Sequence, residues 1–102
     1  MNLLKPEDLR MPQVFKIGTY LVFLWFAEGV PLEPTHVHVC EGVPNQNATK
    51  IWITKSKKAF ICHNKSKIPS HKLNIIMKVI EARADEIIEK WKEYFGQISY
   101  YC

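Results

Sequence analysis

The sequence has no long apolar run. The longest, from Tyr20 to Ala27, covers eight residues, whereas a helix that spans a bilayer needs about 20. The first ten residues contain charges and a proline, where a signal peptide has about 7–15 consecutive apolar residues. We therefore expect a cytoplasmic protein with no membrane partner. Met1 and Met11 are both candidate start residues.

Cysteines are few, and the common catalytic motifs are missing. Cys40, Cys62 and Cys102 are an odd number and include no Cys-x-x-Cys pair, which does not make a disulfide framework. We expect free thiols in a reducing cytosol. The sequence has no glycine-rich phosphate loop, no Gly-x-Ser-x-Gly and no His-Glu-x-x-His, so those enzyme classes are excluded and no cofactor is implied.

Acidic residues are missing from the centre of the chain. The stretch from Gly42 to Ile80 contains no Asp or Glu, and the formal net charge of the chain is +4. A basic lobe of this kind attracts the phosphate backbone of nucleic acids. The alternative is a solvated lysine surface that only keeps the protein soluble. The lysines in this stretch are Lys50, Lys55, Lys57, Lys58, Lys65, Lys67, Lys72 and Lys78.

The length of 102 residues and a hydrophobic content of 47% predict one globular domain. Residues 1–12 are polar and predict an N-terminal arm, followed by a single domain over 13–102. Strand signals occur at about 14–17, 20–26, 36–40, 50–54 and 59–63. Gly18-Thr19 between the first two predicts a type II′ hairpin.

The hydrophobic period then changes from two residues to three and four. This pattern predicts an amphipathic helix over about 70–95, with Gly96 as its stop signal. The predicted fold class is α+β: an antiparallel sheet of four or five strands, packed on one face by a long C-terminal helix. The apolar stripe consists of Leu73, Ile76, Met77, Ile80, Ala84, Ile87, Ile88, Trp91 and Phe95.

Two histidines alternate with two valines in the third strand. Val37 and Val39 suit the core, so His36 and His38 should share the opposite face. Three interpretations are open. The pair could do acid–base catalysis on a phosphodiester while a neighbouring lysine neutralises phosphate charge; it could bind a metal; or the rings could only hydrogen-bond on a covered face. A metal site would need Cys40 or Glu41 in addition to the two histidines. Three successive ligands on one face of a strand span ~13 Å and cannot all reach one ion, so no metal site is expected.

Several segments together resemble the DUF4160 family, a domain of unknown function in small bacterial and archaeal proteins. The resemblance covers about residues 11–96, and its most specific parts are Pro34-Thr35-His36-Val37-His38-Val39 and the closing Trp91-x-x-x-Phe95. The other matching segments are Met11-Pro12, Phe15-Lys16-Ile17-Gly18, Lys50-Ile51-Trp52-Ile53, Asn64 with Ile68-Pro69, and Gly96. The resemblance implies a small cytoplasmic protein, often encoded beside another small protein, as in toxin–antitoxin pairs.

The primary functional hypothesis is an RNA-directed, toxin-like protein in which His36 and His38 perform acid–base chemistry. The alternative is a protein-interaction module without catalytic activity, which forms a homodimer or pairs with the neighbouring small protein. Whether the protein is an enzyme stays open between these two hypotheses. The predicted nucleic-acid-binding residues are Lys50, Trp52, Lys55, Lys57, Lys58, Asn64, Lys65 and Lys67.

Overall fold

The computed structural model describes residues 12–25 and 32–102. Five strands form one antiparallel sheet in the order β1-β2-β3-β4-β5, and two helices follow them. This confirms the predicted α+β class. Apart from Pro12, the predicted arm over 1–12 lies outside the described residues, as does the last residue of the strand predicted over 20–26. The elements are β1 (Gln13–Ile17), β2 (Tyr20–Phe23), β3 (His36–Glu41), β4 (Thr49–Ile53), β5 (Ala59–His63), α1 (Ser70–Ala82) and α2 (Ala84–Phe95).

A two-residue turn joins β1 to β2. Ile17 pairs with Tyr20, so only Gly18 and Thr19 lie in the loop. Gly18 has φ +60°, and Thr19 is not among the described residues with positive φ. A positive φ at the first turn position alone is the type II′ arrangement, which matches the right-handed twist of the flanking strands.

The main core lies between the sheet and the helices. Val37, Val39, Ile51 and Ile53 are fully buried there, so the period-two reading of β3 and β4 is confirmed. Burying each such side chain contributes about 1.5–3 kcal/mol relative to exposure. The predicted helical stripe faces the same core: its buried members are Leu73, Ile76, Ile80, Ala84, Ile87 and Trp91, and Met77, Ile88 and Phe95 pack against them.

The helix prediction needs a correction, because two helices replace the single one expected over about 70–95. Arg83 separates them, with φ −112° and ψ 22°. Its guanidinium lies 3.9 Å from the ring centroid of Phe15 and donates to both carboxylate oxygens of Glu86, at 2.9 and 2.7 Å. The change of direction lets α1 contact β5 while α2 contacts β1, at opposite edges of the sheet.

Among the described residues, no helix combines the length and apolar character that a membrane span requires.

The segment after α2 crosses the ends of β3 and β4. The carbonyl of Ser99 accepts hydrogen bonds from the backbone N–H and the hydroxyl of Thr35, both at 2.8 Å. The carbonyl of Cys102 accepts one from the backbone N–H of Lys55 at 3.0 Å. These bonds fix the path of residues 99–102 and bring Tyr101 against the side chain of Trp52.

Candidate functional site

The face of the sheet opposite the main core carries four of the predicted site residues, in two rows that run across the strands. In each row the residues of neighbouring strands lie directly opposite one another. We call this surface the histidine face. Its first row is Phe23, His38, Lys50 and His63, and its second row is His36, Trp52 and Phe60.

A bulge in β5 brings a third histidine to this face. Ile61 pairs with Ile51, but the next pair is His63 with Lys50, so Cys62 is an extra residue without a partner. A β-bulge of this kind breaks the period-two alternation. Ile61 therefore shares the core side with Ile51, whereas His63 lies beside Lys50.

The two predicted catalytic histidines are in contact. The ring centroids of His36 and His38 are 5.0 Å apart, with an edge-to-face angle of 81°. His38 stacks on Phe23 at 5.6 Å and meets the edge of Trp25 at 5.7 Å. His36 is only 4% exposed and contacts the rings of Trp52 and Trp91, at 5.6 and 5.3 Å. Both imidazoles therefore belong to an aromatic cluster.

Burial keeps both imidazoles neutral at pH 7. It lowers the pKa of His38 to about 3, with a further contribution from the charges of His36 and Lys50. It also lowers the pKa of His36, although a hydrogen bond to the Pro34 carbonyl at 2.8 Å opposes the shift. Since a carbonyl only accepts, Nδ1 of His36 carries the proton and Nε2 keeps the lone pair. Among the described residues, no group forms a hydrogen bond of normal geometry with Nδ1 of His38.

Lys50 lies between two histidines in the first row and is held from two sides. Its ammonium forms a 2.5 Å ion pair with Glu33 and lies 4.4 Å from the ring centroid of Trp52. The hydrogen bond from Lys50 lowers the pKa of Glu33. The lysine side chain is 14% exposed, so this cation is mostly buried.

Two aromatic side chains next to Trp52 are open to solvent. Tyr101 stacks on Trp52 with ring centroids 5.0 Å apart and an interplanar angle of 5°. Tyr101 is 60% exposed, and Phe60, which is paired with Trp52 across the strands, is 51% exposed. We call Phe60, Trp52 and Tyr101 the aromatic strip. Of these three residues only Trp52 was predicted from the sequence, because residues 97–102 carry no periodic pattern that would place Tyr101.

The predicted lysines lie in the two turns that flank β5. Lys55, Lys57, Lys58, Lys65 and Lys67 are all exposed. Lys57 forms a 2.6 Å ion pair with Asp85 of α2, and this contact raises the pKa of the lysine. Its charge is therefore partly neutralised, whereas the structure gives no ion pair within the described residues for the other four.

Asn64 closes the turn after β5. Its Oδ1 accepts hydrogen bonds from the Thr49 hydroxyl at 2.5 Å and from the Ile68 backbone N–H at 3.0 Å. Its Nδ2 donates to the Ile68 carbonyl at 3.0 Å. Thr49 is fully buried, so this network anchors the turn that carries Lys65 and Lys67.

A family model for a domain of unknown function, DUF4160, matches residues 19–92. The chain belongs to the DUF4160 family. No curated protein and no solved structure matches it. The DUF4160 match includes every residue of the histidine face, while Tyr101 lies beyond its end.

The DUF4160 site offers few metal ligands. Within residues 12–25 and 32–102, no three side chains from His, Cys, Asp and Glu converge as a metal site would require. The three cysteines are free thiols; Cys40 is buried, and burial raises its pKa, whereas Cys62 and Cys102 are exposed. The chemistry that the face offers is thus aromatic stacking, ammonium charge and imidazole hydrogen bonding.

Proposed function

We propose that this DUF4160 protein binds single-stranded RNA on its histidine face, as the RNA-directed, toxin-like member of a two-protein pair. The observation that carries the proposal is the aromatic strip: Tyr101 stacked on Trp52, with Phe60 beside them and both outer rings more than half exposed. Large aromatic side chains are normally buried, and a strip of them on a sheet is a platform for unpaired bases.

The electrostatics of the surrounding turns support the same proposal. Exposed Lys55 and Lys58 precede β5, and exposed Lys65 and Lys67 follow it, so ammonium groups flank the strip along the chain on both sides. A phosphate backbone that crosses β5 would meet these charges while its bases stack on the strip. Bases can reach the strip only when they are unpaired, which favours a single strand over a duplex.

The acid–base role of His36 and His38 stays a hypothesis within this proposal. Burial keeps both rings neutral at pH 7 and limits contact with a phosphodiester. His63 is more exposed than His36 and lies on the other side of Lys50 from His38. We therefore assign RNA binding to the aromatic strip and the lysines. The growth experiment tests whether the two histidines also perform acid–base chemistry.

The binding proposal is tested with a fluorescein-labelled single-stranded RNA and the untagged protein in a fluorescence polarisation titration. We expect binding that weakens as salt rises, because each lysine–phosphate contact releases a counterion. An RNA duplex of the same length should bind more weakly, since its bases cannot stack on the strip. If the protein does not bind the single-stranded RNA at low salt, the proposal is wrong.

The toxin-like part is tested by growth after tightly induced expression in a bacterial host. The acid–base hypothesis predicts arrest with the wild type and normal growth with His36→Ala/His38→Ala. Since this double variant removes two rings from an aromatic cluster, His38→Phe is the better-matched change: it keeps a ring against Phe23 and removes the imidazole. Arrest by soluble His38→Phe protein would exclude His38 as the acid–base group.

One observation favours the interaction module as a second candidate. Among the described strands, β5 lies at an edge of the sheet, and it exposes Phe60 on one face and Ile61 on the other. An exposed apolar edge is a site where another chain can add a strand.

For both candidates we place the protein in the cytoplasm, where its three thiols would stay reduced.

A further inference from the structure

The open edge of β5 is a second candidate surface, which shares Phe60 with the aromatic strip. Within the described part of the chain, β5 has a strand neighbour only on its β4 side. Ile61 is 45% exposed on the core side of the sheet and Phe60 is 51% exposed on the histidine face. Both large side chains at the middle of this strand therefore stay partly in water, which is unusual for a strand next to a core.

The backbone of β5 presents hydrogen-bonding groups along this edge. The N–H of Ala59 points away from β4 and donates to the Glu81 carboxylate of α1 at 2.9 Å. In an antiparallel ladder, alternate residues direct their N–H and C=O groups to the same side. The N–H and C=O of Ile61 therefore face the open edge, two residues beyond Ala59, whose N–H is bound by Glu81.

Lysines lie at both ends of this edge, and the one carboxylate described against β5, that of Glu81, is already bound to the Ala59 N–H. Exposed Lys58 precedes β5 next to Lys57, which is paired with Asp85, and exposed Lys65 and Lys67 follow the strand. The sequence has no Asp or Glu from Gly42 to Ile80. An incoming strand would thus meet an apolar centre at Phe60 and Ile61 with ammonium groups at both ends.

We propose that the β5 edge binds an extended segment of another protein, apolar at its centre and acidic at both ends, as a sixth strand of the sheet. The backbone of the segment would pair with Ile61, and its end carboxylates would meet Lys58 and Lys65. A second copy of this chain fits the edge poorly. Antiparallel pairing of two β5 strands about Ile61 would bring the lysines of one copy near those of the other, and β5 and its turns contain no carboxylate to offset the repulsion.

The proposal is tested with the full-length protein and a fluorescein-labelled probe peptide, EEVTVTVEE. We expect saturable binding about tenfold tighter than that of the basic peptide KKVTVTVKK, because charge complementarity discriminates between partners. In hydrogen exchange, the amide of Ile61 should gain protection when EEVTVTVEE binds. A central N-methyl group on the peptide, which removes one backbone donor, should weaken binding.

Two variants separate the backbone contribution from the charge contribution. Ile61→Pro removes the outward N–H, a change that edge strands tolerate, and should abolish peptide binding. Lys58→Glu/Lys65→Glu should weaken binding by about tenfold. The matched control is Lys90→Glu/Lys92→Glu on α2, which makes the same charge change beside the other edge and should leave binding unchanged. If Ile61→Pro does not fold, the N-methyl peptide still tests the backbone pairing.

Three outcomes would overturn the proposal. The acidic and basic peptides could bind equally, the Ile61 amide could stay unprotected, or the protein without peptide could be a dimer in light scattering that Ile61→Pro converts to a monomer. The last result would assign the edge to a second copy. Because none of these measurements uses RNA, failure here is distinguishable from failure of the proposed RNA-binding function.

Discussion

The ring of Tyr101 lies parallel to the ring of Trp52, with the centroids 5.0 Å apart. Trp52 belongs to β4, the strand next to the β5 edge, while Tyr101 belongs to a segment held by two backbone attachments, at Ser99 and Cys102. One face of the phenol ring covers the indole, and the 60% exposure of Tyr101 leaves its other face for a third ring. This pair is therefore the point at which a base would add to the sheet.

Lys50 should bind phosphate better when its carboxylate partner is removed. Glu33 holds the Lys50 ammonium in an ion pair, and a phosphate would have to compete with that carboxylate. We expect Glu33→Gln to raise the affinity for single-stranded RNA about two- to fivefold, the value of one partly exposed ion pair. The measurement is fluorescence polarisation at two salt concentrations. Glu89→Gln on α2 is the charge-matched control, and an equal gain in both variants would show that only net charge matters.

Asn64 should stabilise the fold without contacting RNA itself. Asn64→Ala removes three hydrogen bonds next to the buried Thr49, and unsatisfied polar groups of this kind cost about 1–3 kcal/mol each. We expect urea unfolding to show a loss of about this size while the folded protein keeps its RNA affinity. Lys65→Ala is the control, with the opposite expectation: unchanged stability and weaker binding. Loss of RNA affinity at unchanged stability in Asn64→Ala would instead assign Asn64 to the interface.

Acid should destabilise the protein through His38. Burial lowers the pKa of this imidazole from 6.5 to about 3, so below pH 6.5 the unfolded chain binds a proton that the folded chain does not. Stability is therefore fully present above pH 6.5 and is lost as the pH falls toward 3. We expect a contribution of at most about 1.4 kcal/mol per pH unit in this window, and the lowered pKa of His36 acts in the same direction.

The measurement is the free energy of unfolding in urea at pH 7, 6 and 5. His38→Phe serves as the matched variant, because it keeps an aromatic ring against Phe23 and cannot bind a proton. Its stability should depend less steeply on pH than that of the wild type. Parallel curves for the two proteins would show that His38 titrates normally in the folded state.

The sequence was sufficient for the faces of β3 and β4. Val37, Val39, Ile51 and Ile53 alternate with residues of the histidine face in two strands that pair without a bulge, so each side chain could be assigned to its face. Period-two counting in β5 is misleading from Cys62 onward: it would place His63 on the core side with Ile61, whereas the bulge moves it beside Lys50. Bulges depend on how two strands pair, and a single strand does not encode them visibly.

The helix break and the position of Tyr101 have the same kind of origin. Arg83 is neither Pro nor Gly, and the apolar stripe continues past it from Ile80 to Ala84, so no local signal marks the break. The contact of Arg83 with Phe15 is made across the fold. Tyr101 is likewise placed by backbone bonds to residues far away in the chain. These features follow from tertiary contacts, which residue patterns cannot display.

The most direct test of the RNA-binding account compares two tyrosine variants in fluorescence polarisation with the same single-stranded RNA. Tyr94 on α2 is 43% exposed and lies outside the aromatic strip, which makes Tyr94→Ala the matched control for Tyr101→Ala. One base–aromatic stack is worth about 1–3 kcal/mol, so Tyr101→Ala should weaken binding by about 5- to 150-fold while Tyr94→Ala leaves it unchanged. Equal affinities for the wild type and Tyr101→Ala would contradict the account, because the stacked ring would then play no part in binding RNA.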